Sequence, residues 1–76
     1  MMPDMVVDTR GLNCPLPVIK ARRAFKNLAV GAVMEVLATD PLAEADFHDF
    51  CEAVGAALLR SSRDDHGVFC FHIQRL

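Results

Sequence analysis

The apolar residues in the first part of the chain change from a strand-like to a helix-like spacing. Residues 5–8 form a short β-type run, and the stretch around Gly11 that follows it has the composition of a loop. Between residues 15 and 28, apolar residues recur at positions i, i+3, i+7 and i+10, which predicts a helix with one apolar face. These residues are Val18, Ala21, Phe25 and Leu28.

The middle of the chain repeats this order of strand and helix. Residues 33–39 alternate between two faces, which predicts a strand, and Asp40-Pro41 ends it. We expect the second helix to begin at Asp46, since acidic residues in a first turn complement the helix dipole. Its predicted apolar face contains Phe47, Phe50, Cys51, Val54 and Leu58.

The last part of the chain predicts a hairpin. Residues 58–62 and 68–74 are the expected strands, and Asp64-Asp65-His66-Gly67 between them is a turn sequence. The resulting order is βαβαββ, an α+β fold. We expect a two-layer α/β sandwich, in which two helices cover one face of a four-stranded mixed sheet. Cys70 and His72 would then lie on the uncovered face.

Length and composition restrict the protein to a few classes. The 76 residues predict one domain, residues 1–76, and a monomer is the default at this size. A net charge of -2 and only five aromatic residues argue against direct nucleic acid binding. We expect no membrane segment, and the first residues lack the features of a secretion signal. A cytoplasmic protein is therefore predicted.

Three cysteines without CxxC spacing predict free thiols rather than a disulfide framework or a zinc site. Cys51 falls on the apolar face of the second helix, so a buried structural role is expected, and an inert role is favoured for Cys70. The three histidines lack metal-ligand spacing along the sequence, so surface or turn roles are expected and no metal is predicted. They are His48, His66 and His72.

Cys14 stands out because Pro15 and Pro17 follow it. Proline is favoured in the first turn of a helix, so this pair predicts that the helix starts just after the thiol. Free N–H groups and the helix dipole would then lower the thiol pKa, with Arg10 adding positive potential. The alternative is that Cys14 is a small, inert residue beside a helix start.

Four basic residues lie on the first predicted helix: Lys20, Arg22, Arg23 and Lys26. A basic helix face is usually just solvated, but this one adjoins Cys14 and would steer an acidic partner toward the thiol. Arg22 and Arg23 are candidates for partner contact, as are Arg10 and Leu16 beside the thiol. Asp40 and Asp46 are interpreted as turn and cap residues.

The motif Cys14-Pro15-Leu16-Pro17, preceded by Asp8-x-Arg10-Gly11-Leu12, resembles the TusA-like (SirA/YedF) sulfur carriers. Similarities at Gly31, Asp40-Pro41, Asp46 and Gly55 extend the resemblance over residues 6–75. It implies a βαβαββ sandwich. It also implies a sulfurtransferase whose Cys14 accepts sulfane sulfur from a donor protein, such as a cysteine desulfurase or a rhodanese-like protein, and passes it to an acceptor thiol. No bound cofactor is implied.

The chain departs from the family pattern at two positions. Ala56 follows Gly55, where many members have histidine, and Leu16 stands where the tRNA-thiolation branch has an acidic residue. An apolar Leu16 would form part of a different docking surface. Two other functions fit the same residues: a regulatory interaction module, and a thiol redox switch, which would need an intramolecular disulfide.

Overall fold

The computed structural model describes residues 2–76, and Met1 lies outside them. The predicted order of elements, βαβαββ, is confirmed. The elements are β1 (Met5–Thr9), α1 (Leu16–Phe25), β2 (Val33–Ala38), α2 (Ala43–Val54), β3 (Ala57–Arg63) and β4 (Phe69–Gln74).

The four strands form one mixed sheet in the order β1-β2-β4-β3. β1 runs parallel to β2, as expected for a β-α-β crossover, whereas β4 is antiparallel to both of its neighbours. In the central register, Val7 pairs with Val36 and Val36 pairs with Phe71. Both helices pack on the same face, so the predicted two-layer sandwich is confirmed.

The core lies between the helices and the sheet. Met34, Val36 and Ala38 of β2 are fully buried, as their alternation predicts. The ring centroids of Phe47 on α2 and Phe71 on β4 are 4.9 Å apart. Both rings are fully buried, so truncating either one to alanine would cost about 3–5 kcal/mol of stability.

The first helix is shorter than the predicted 15–28. α1 ends at Phe25 with Lys26 as its C-cap, and the two N–H groups after Lys26 bond three residues back instead of four. Asn27 donates to the Ala24 carbonyl at 3.0 Å, and Leu28 donates to the Phe25 carbonyl at 3.1 Å. This tighter turn still delivers Leu28 to the core, where it is 3% exposed.

The predicted start of the second helix at Asp46 is wrong, since α2 begins at Ala43. The side chain of Asp40 accepts a hydrogen bond from the Leu42 N–H, and its carbonyl accepts one from the Ala43 N–H, both at 3.0 Å. These bonds nucleate the helix three residues before the expected position. Gly55 ends the helix in the left-handed conformation, with φ +70°.

The hairpin strands also differ at their ends from the prediction. β3 extends over Ala57–Arg63 although Ser61 and Ser62 are polar, because it lies at the sheet edge and its backbone pairs with β4 as far as Arg63. β4 begins at Phe69, one residue later than expected. Neither helix of residues 2–76 is long and apolar enough to cross a membrane.

Candidate functional site

Cys14 lies in the loop between β1 and α1, and the end of β2 holds this loop in place. The Gly11 N–H donates to the Thr39 hydroxyl at 2.8 Å, and the Cys14 N–H donates to the Asp40 carboxylate. Gly11 has φ +81°, a backbone conformation that favours glycine. The bonds fix the backbone on which Cys14 sits, while the residue itself is exposed, as expected.

The helix start offers the thiol fewer N–H groups than expected. Pro15 and Pro17 have no N–H group, and the Leu16 N–H donates to the Asn13 carbonyl at 2.9 Å. The two prolines that define the helix start therefore also remove donors from its first turn. A loop-to-helix boundary at the thiol is confirmed, with α1 beginning at Leu16, but the predicted convergence of free N–H groups is not found.

A shallow groove between α1 and α2, about 270 Å³ in volume, opens beside the thiol. Its floor is apolar, and its rim carries charges of both signs. The lining residues are Cys14, Pro15, Val18, Arg22, Asp46, Asp49, Phe50 and Ala53. A groove this open admits a loop or side chain of another protein and does not enclose a small molecule.

The pKa of the Cys14 thiol is raised, so the prediction of a lowered pKa is wrong. The main cause is a hydrogen bond with the Asp46 carboxylate, with smaller contributions from desolvation and from the negative charges of Asp46 and Asp40. The helix dipole acts in the opposite direction. Two carboxylates close to the thiol outweigh a helix end from which the prolines have removed donors. The free protein therefore holds Cys14 mainly as a thiol.

Arg10 does not supply the positive potential expected of it. Its guanidinium pairs with the Asp8 carboxylate at 2.8 Å, and both side chains are about half exposed. The hydrogen bonds from Arg10 lower the pKa of Asp8 to about 2, so the carboxylate is ionised and offsets the arginine charge. The pair orders the end of β1 more than it polarises the thiol.

The other candidates for partner contact divide between the groove and the surface around it. Arg22 lines the groove, with its guanidinium carbon 5.9 Å from the centroid of the Phe50 ring. Leu16 is 50% exposed beside Cys14, whereas Arg23 is exposed but lies outside the groove lining. Lys20 donates to the Asp8 carbonyl at 2.7 Å, so this basic side chain is partly occupied within the chain.

The remaining thiols lie away from the groove lining. Cys51 is 5% exposed among core residues, and burial raises its pKa, in agreement with the predicted structural role. Cys70 is half-buried on the sheet face opposite the helices and donates to Glu35 at 3.6 Å. His72 is buried and bonded to the same carboxylate, so a surface role for this histidine was a wrong prediction.

Sequence reasoning missed the role of Asp46. Interpreted as a cap, it lies instead within the first turns of α2, with its side chain in the groove against the thiol. Local spacing held no signal for this contact, because Asp46 and Cys14 lie 32 residues apart on different elements.

Comparison with known proteins agrees with this fold. The sequence profile of the family described as "Sulfurtransferase TusA" matches residues 5–75. The chain is 41% identical over 73 residues to a sulfur carrier protein TusA of Pseudomonas putida, covering 96% of this chain and 90% of that protein. A putative sulfur carrier protein of Neisseria meningitidis is 42% identical, with coverages of 96% and 97%.

Two further similarities extend the comparison. A sulfur carrier protein TusA of Allochromatium vinosum is 38% identical over 72 residues, covering 95% of this chain and 93% of that one. The crystal structure of a SirA-like protein from Desulfitobacterium hafniense superposes with a TM-score of 0.80 at 28% identity, covering 91% and 93% of the two chains. The profile match and these relatives span nearly the whole chain, which therefore belongs to the TusA sulfurtransferase family.

Proposed function

We propose that this protein is a sulfur carrier that holds sulfane sulfur as a persulfide on Cys14 and relays it between two partner proteins. The observation that carries the proposal is an exposed thiol fixed at the rim of an open groove, in a chain of the TusA family. A cysteine desulfurase or a rhodanese-like protein would be the donor, and another protein thiol would be the acceptor.

The loading step needs one nucleophile and one proton acceptor. The Cys14 sulfur attacks the outer sulfur of the donor persulfide, a new S–S bond forms, and the donor's own S–S bond breaks to leave a donor thiolate. The thiol proton leaves Cys14 and finally reaches that thiolate, so both sides remain balanced. Asp46 is suited to hold this proton in transit, because its carboxylate lines the same groove as the thiol and acts on the thiol pKa.

Because the Cys14 pKa is raised, we expect a partner protein to help form the Cys14 thiolate. A thiolate is the nucleophile, and the acidic groups at the groove oppose its formation in the free protein. A donor that presents positive charge to Asp46 would offset this effect only within the complex. Leu16, Arg22 and Arg23 lie on α1, the helix that begins beside the thiol, and are the proposed partner contacts. Pro15 and Pro17 hold the helix start.

We further propose that the protein is a single domain, acts as a monomer and relies on its partner proteins for specificity. A cytoplasmic location is part of the proposal, because a reducing compartment keeps the Cys14 thiol available. A redox switch is a weaker alternative. Cys51 is buried in the core, so a Cys14–Cys51 disulfide would require the core to open.

The test is intact-mass spectrometry after incubation with a cysteine desulfurase and cysteine. We expect the wild-type chain to gain one reducible sulfur atom, Cys14→Ser to gain none, and the matched control Cys70→Ser to load like the wild type. Equal loading of Cys14→Ser would remove Cys14 from the mechanism. Failure of all chains to load with several donors would favour a regulatory interaction module instead.

A further inference from the structure

Three metal-ligating side chains converge on the sheet face that the helices leave open. They are Glu35 of β2 and Cys70 and His72 of β4, named here the Glu35–Cys70–His72 cluster. We propose that this cluster is a binding site for one divalent zinc ion. It is independent of the sulfur-carrier role, since Cys14 lies in the groove between the helices on the other side of the sheet.

The strand register explains why the three side chains meet. Glu35 is directly opposite His72 in the antiparallel β2–β4 pair, and Cys70 lies two residues before His72 on the same face. Sequence spacing did not reveal this arrangement, because the ligands come from strands 35 residues apart. The prediction that no histidine has metal-ligand spacing considered only neighbours along the chain.

The donor atoms are already close to the distances that a zinc ion imposes. Glu35 Oε1 is 2.9 Å from His72 Nε2 and 3.6 Å from Cys70 Sγ, and all three donor atoms lie within 4.8 Å of one another. Tetrahedral zinc with ordinary bond lengths places such donors about 3.4–3.6 Å apart. Shifts of about 1 Å by the flexible Glu35 side chain and its neighbours would suffice.

The chemistry of the donors selects the metal. One sulfur, one imidazole nitrogen and one carboxylate oxygen suit a borderline-soft cation, and zinc takes this mixed set more readily than magnesium or calcium does. Three protein ligands leave the fourth position to water. Solvent has access, because the side chains of Glu35 and His72 are 24% and 11% exposed.

Binding requires a defined movement of protons. The Cys70 thiol and one nitrogen of His72 now bond to the same carboxylate oxygen, so these contacts gather the donors around one point. On binding, the Cys70 thiol releases its proton to solvent. The proton that His72 donates from Nε2 to Glu35 is exchanged, through solvent, for one on Nδ1, which leaves the Nε2 lone pair for the metal. No electron is transferred.

One neighbouring charge opposes the cation. Arg60 of β3 pairs with His72 across the hairpin, and its positive charge acts on both Glu35 and Cys70. The proposal therefore predicts effects in two directions. Losing a ligand weakens binding, whereas replacing Arg60 with a neutral residue of similar length strengthens it.

The test is an anaerobic cobalt(II) titration of the full chain carrying Cys14→Ser, which removes the exposed thiol as a competing ligand. We expect one cobalt per chain, a thiolate-to-cobalt charge-transfer band, the visible bands of four-coordinate cobalt, and loss of all bands when zinc is added. Adding Cys70→Ser should abolish the charge-transfer band. Glu35→Gln and His72→Gln should each weaken binding by at least about tenfold.

Matched controls are Glu52→Gln and His66→Gln, which change an exposed carboxylate and an exposed imidazole elsewhere and should leave binding unchanged. Arg60→Gln should tighten binding several-fold. A charge-transfer band that survives Cys70→Ser, or the absence of any band in the parent chain, would overturn the proposal. So would equal weakening by the control variants.

A second measurement needs no variant at all. Zinc added to the wild-type chain should slow the alkylation of Cys70 by iodoacetamide by at least about tenfold, as read from peptide masses. Zinc-independent alkylation of Cys70 would contradict the site even if a variant failed to fold.

Discussion

The Asp40 side chain is hydrogen-bonded to both the Cys14 loop and the start of α2, so substituting it should destabilise both segments. Its carboxylate accepts hydrogen bonds from the N–H groups of Cys14 and Leu42, and the residue is only 8% exposed. Asp40→Ala deletes both acceptors without adding a larger group. The two N–H groups would then have to find water or remain without a partner.

The magnitude follows from these two bonds. A hydrogen bond to a charged group contributes about 1.5–3 kcal/mol, and water reaches the exposed residues Cys14 and Leu42, which keeps each loss at or slightly below the lower limit. We expect Asp40→Ala to lower the free energy of unfolding by about 2–3 kcal/mol. With an unfolding entropy of about 2.1 cal/mol/K per residue, a chain of this size would lose about 12–19 °C in Tm.

The assay is thermal and urea unfolding followed by circular dichroism. Asp40→Asn keeps one acceptor and should give an intermediate loss, while Asp65→Ala, in the exposed hairpin turn, should stay within about 0.5 kcal/mol of the wild type. An Asp40→Ala variant as stable as Asp65→Ala would show that these two hydrogen bonds do not stabilise the fold. So would an Asp40→Asn variant less stable than Asp40→Ala.

Two further predictions concern titrating groups. Asp46→Asn removes the main cause of the raised Cys14 pKa, so alkylation of Cys14 by iodoacetamide near neutral pH should become several-fold faster. The control Asp49→Asn, which also changes a groove carboxylate, should have little effect on this rate. Slower alkylation of Cys14 in Asp46→Asn would contradict this explanation of the raised pKa. The hydrogen bond from His72 holds the Glu35 pKa below its ordinary 4.5. The ionised Glu35 therefore stabilises the fold above pH 4.5, and this stabilisation is lost as the pH falls through the lower pKa that Glu35 has in the folded state. The urea midpoint of the wild type should therefore exceed that of Glu35→Gln at pH 6 and approach it by about pH 3, whereas a gap that stays constant with pH would exclude this linkage.

The fold could be predicted from the sequence where apolar spacing and special residues agreed. The alternation of Met34, Val36 and Ala38 predicted a half-covered strand, and these residues are fully buried. Helix ends were less predictable, because side-chain bonds and tighter turns determine them. Asp40 starts α2 three residues early, and the turn after Phe25 shortens α1.

The candidate site could be predicted only in part, for a related reason. The position and exposure of Cys14 follow from the prolines after it. Its electrostatics do not, because Asp46 reaches the thiol from another helix, 32 residues along the chain. Contacts between distant elements have no signal in local spacing. The same holds for the Glu35–Cys70–His72 cluster, whose members meet only through the strand register.

The most direct test of the central claim is to locate the transferred sulfur in the wild-type chain, where all three thiols compete. Trypsin separates them, since cleavage after lysine and arginine places Cys14 in residues 11–20, Cys51 in 27–60 and Cys70 in 64–75. After loading by a cysteine desulfurase and trapping of persulfides with iodoacetamide, we expect the extra sulfur on residues 11–20 alone. Extra sulfur on residues 27–60 or 64–75, with none on 11–20, would contradict the account.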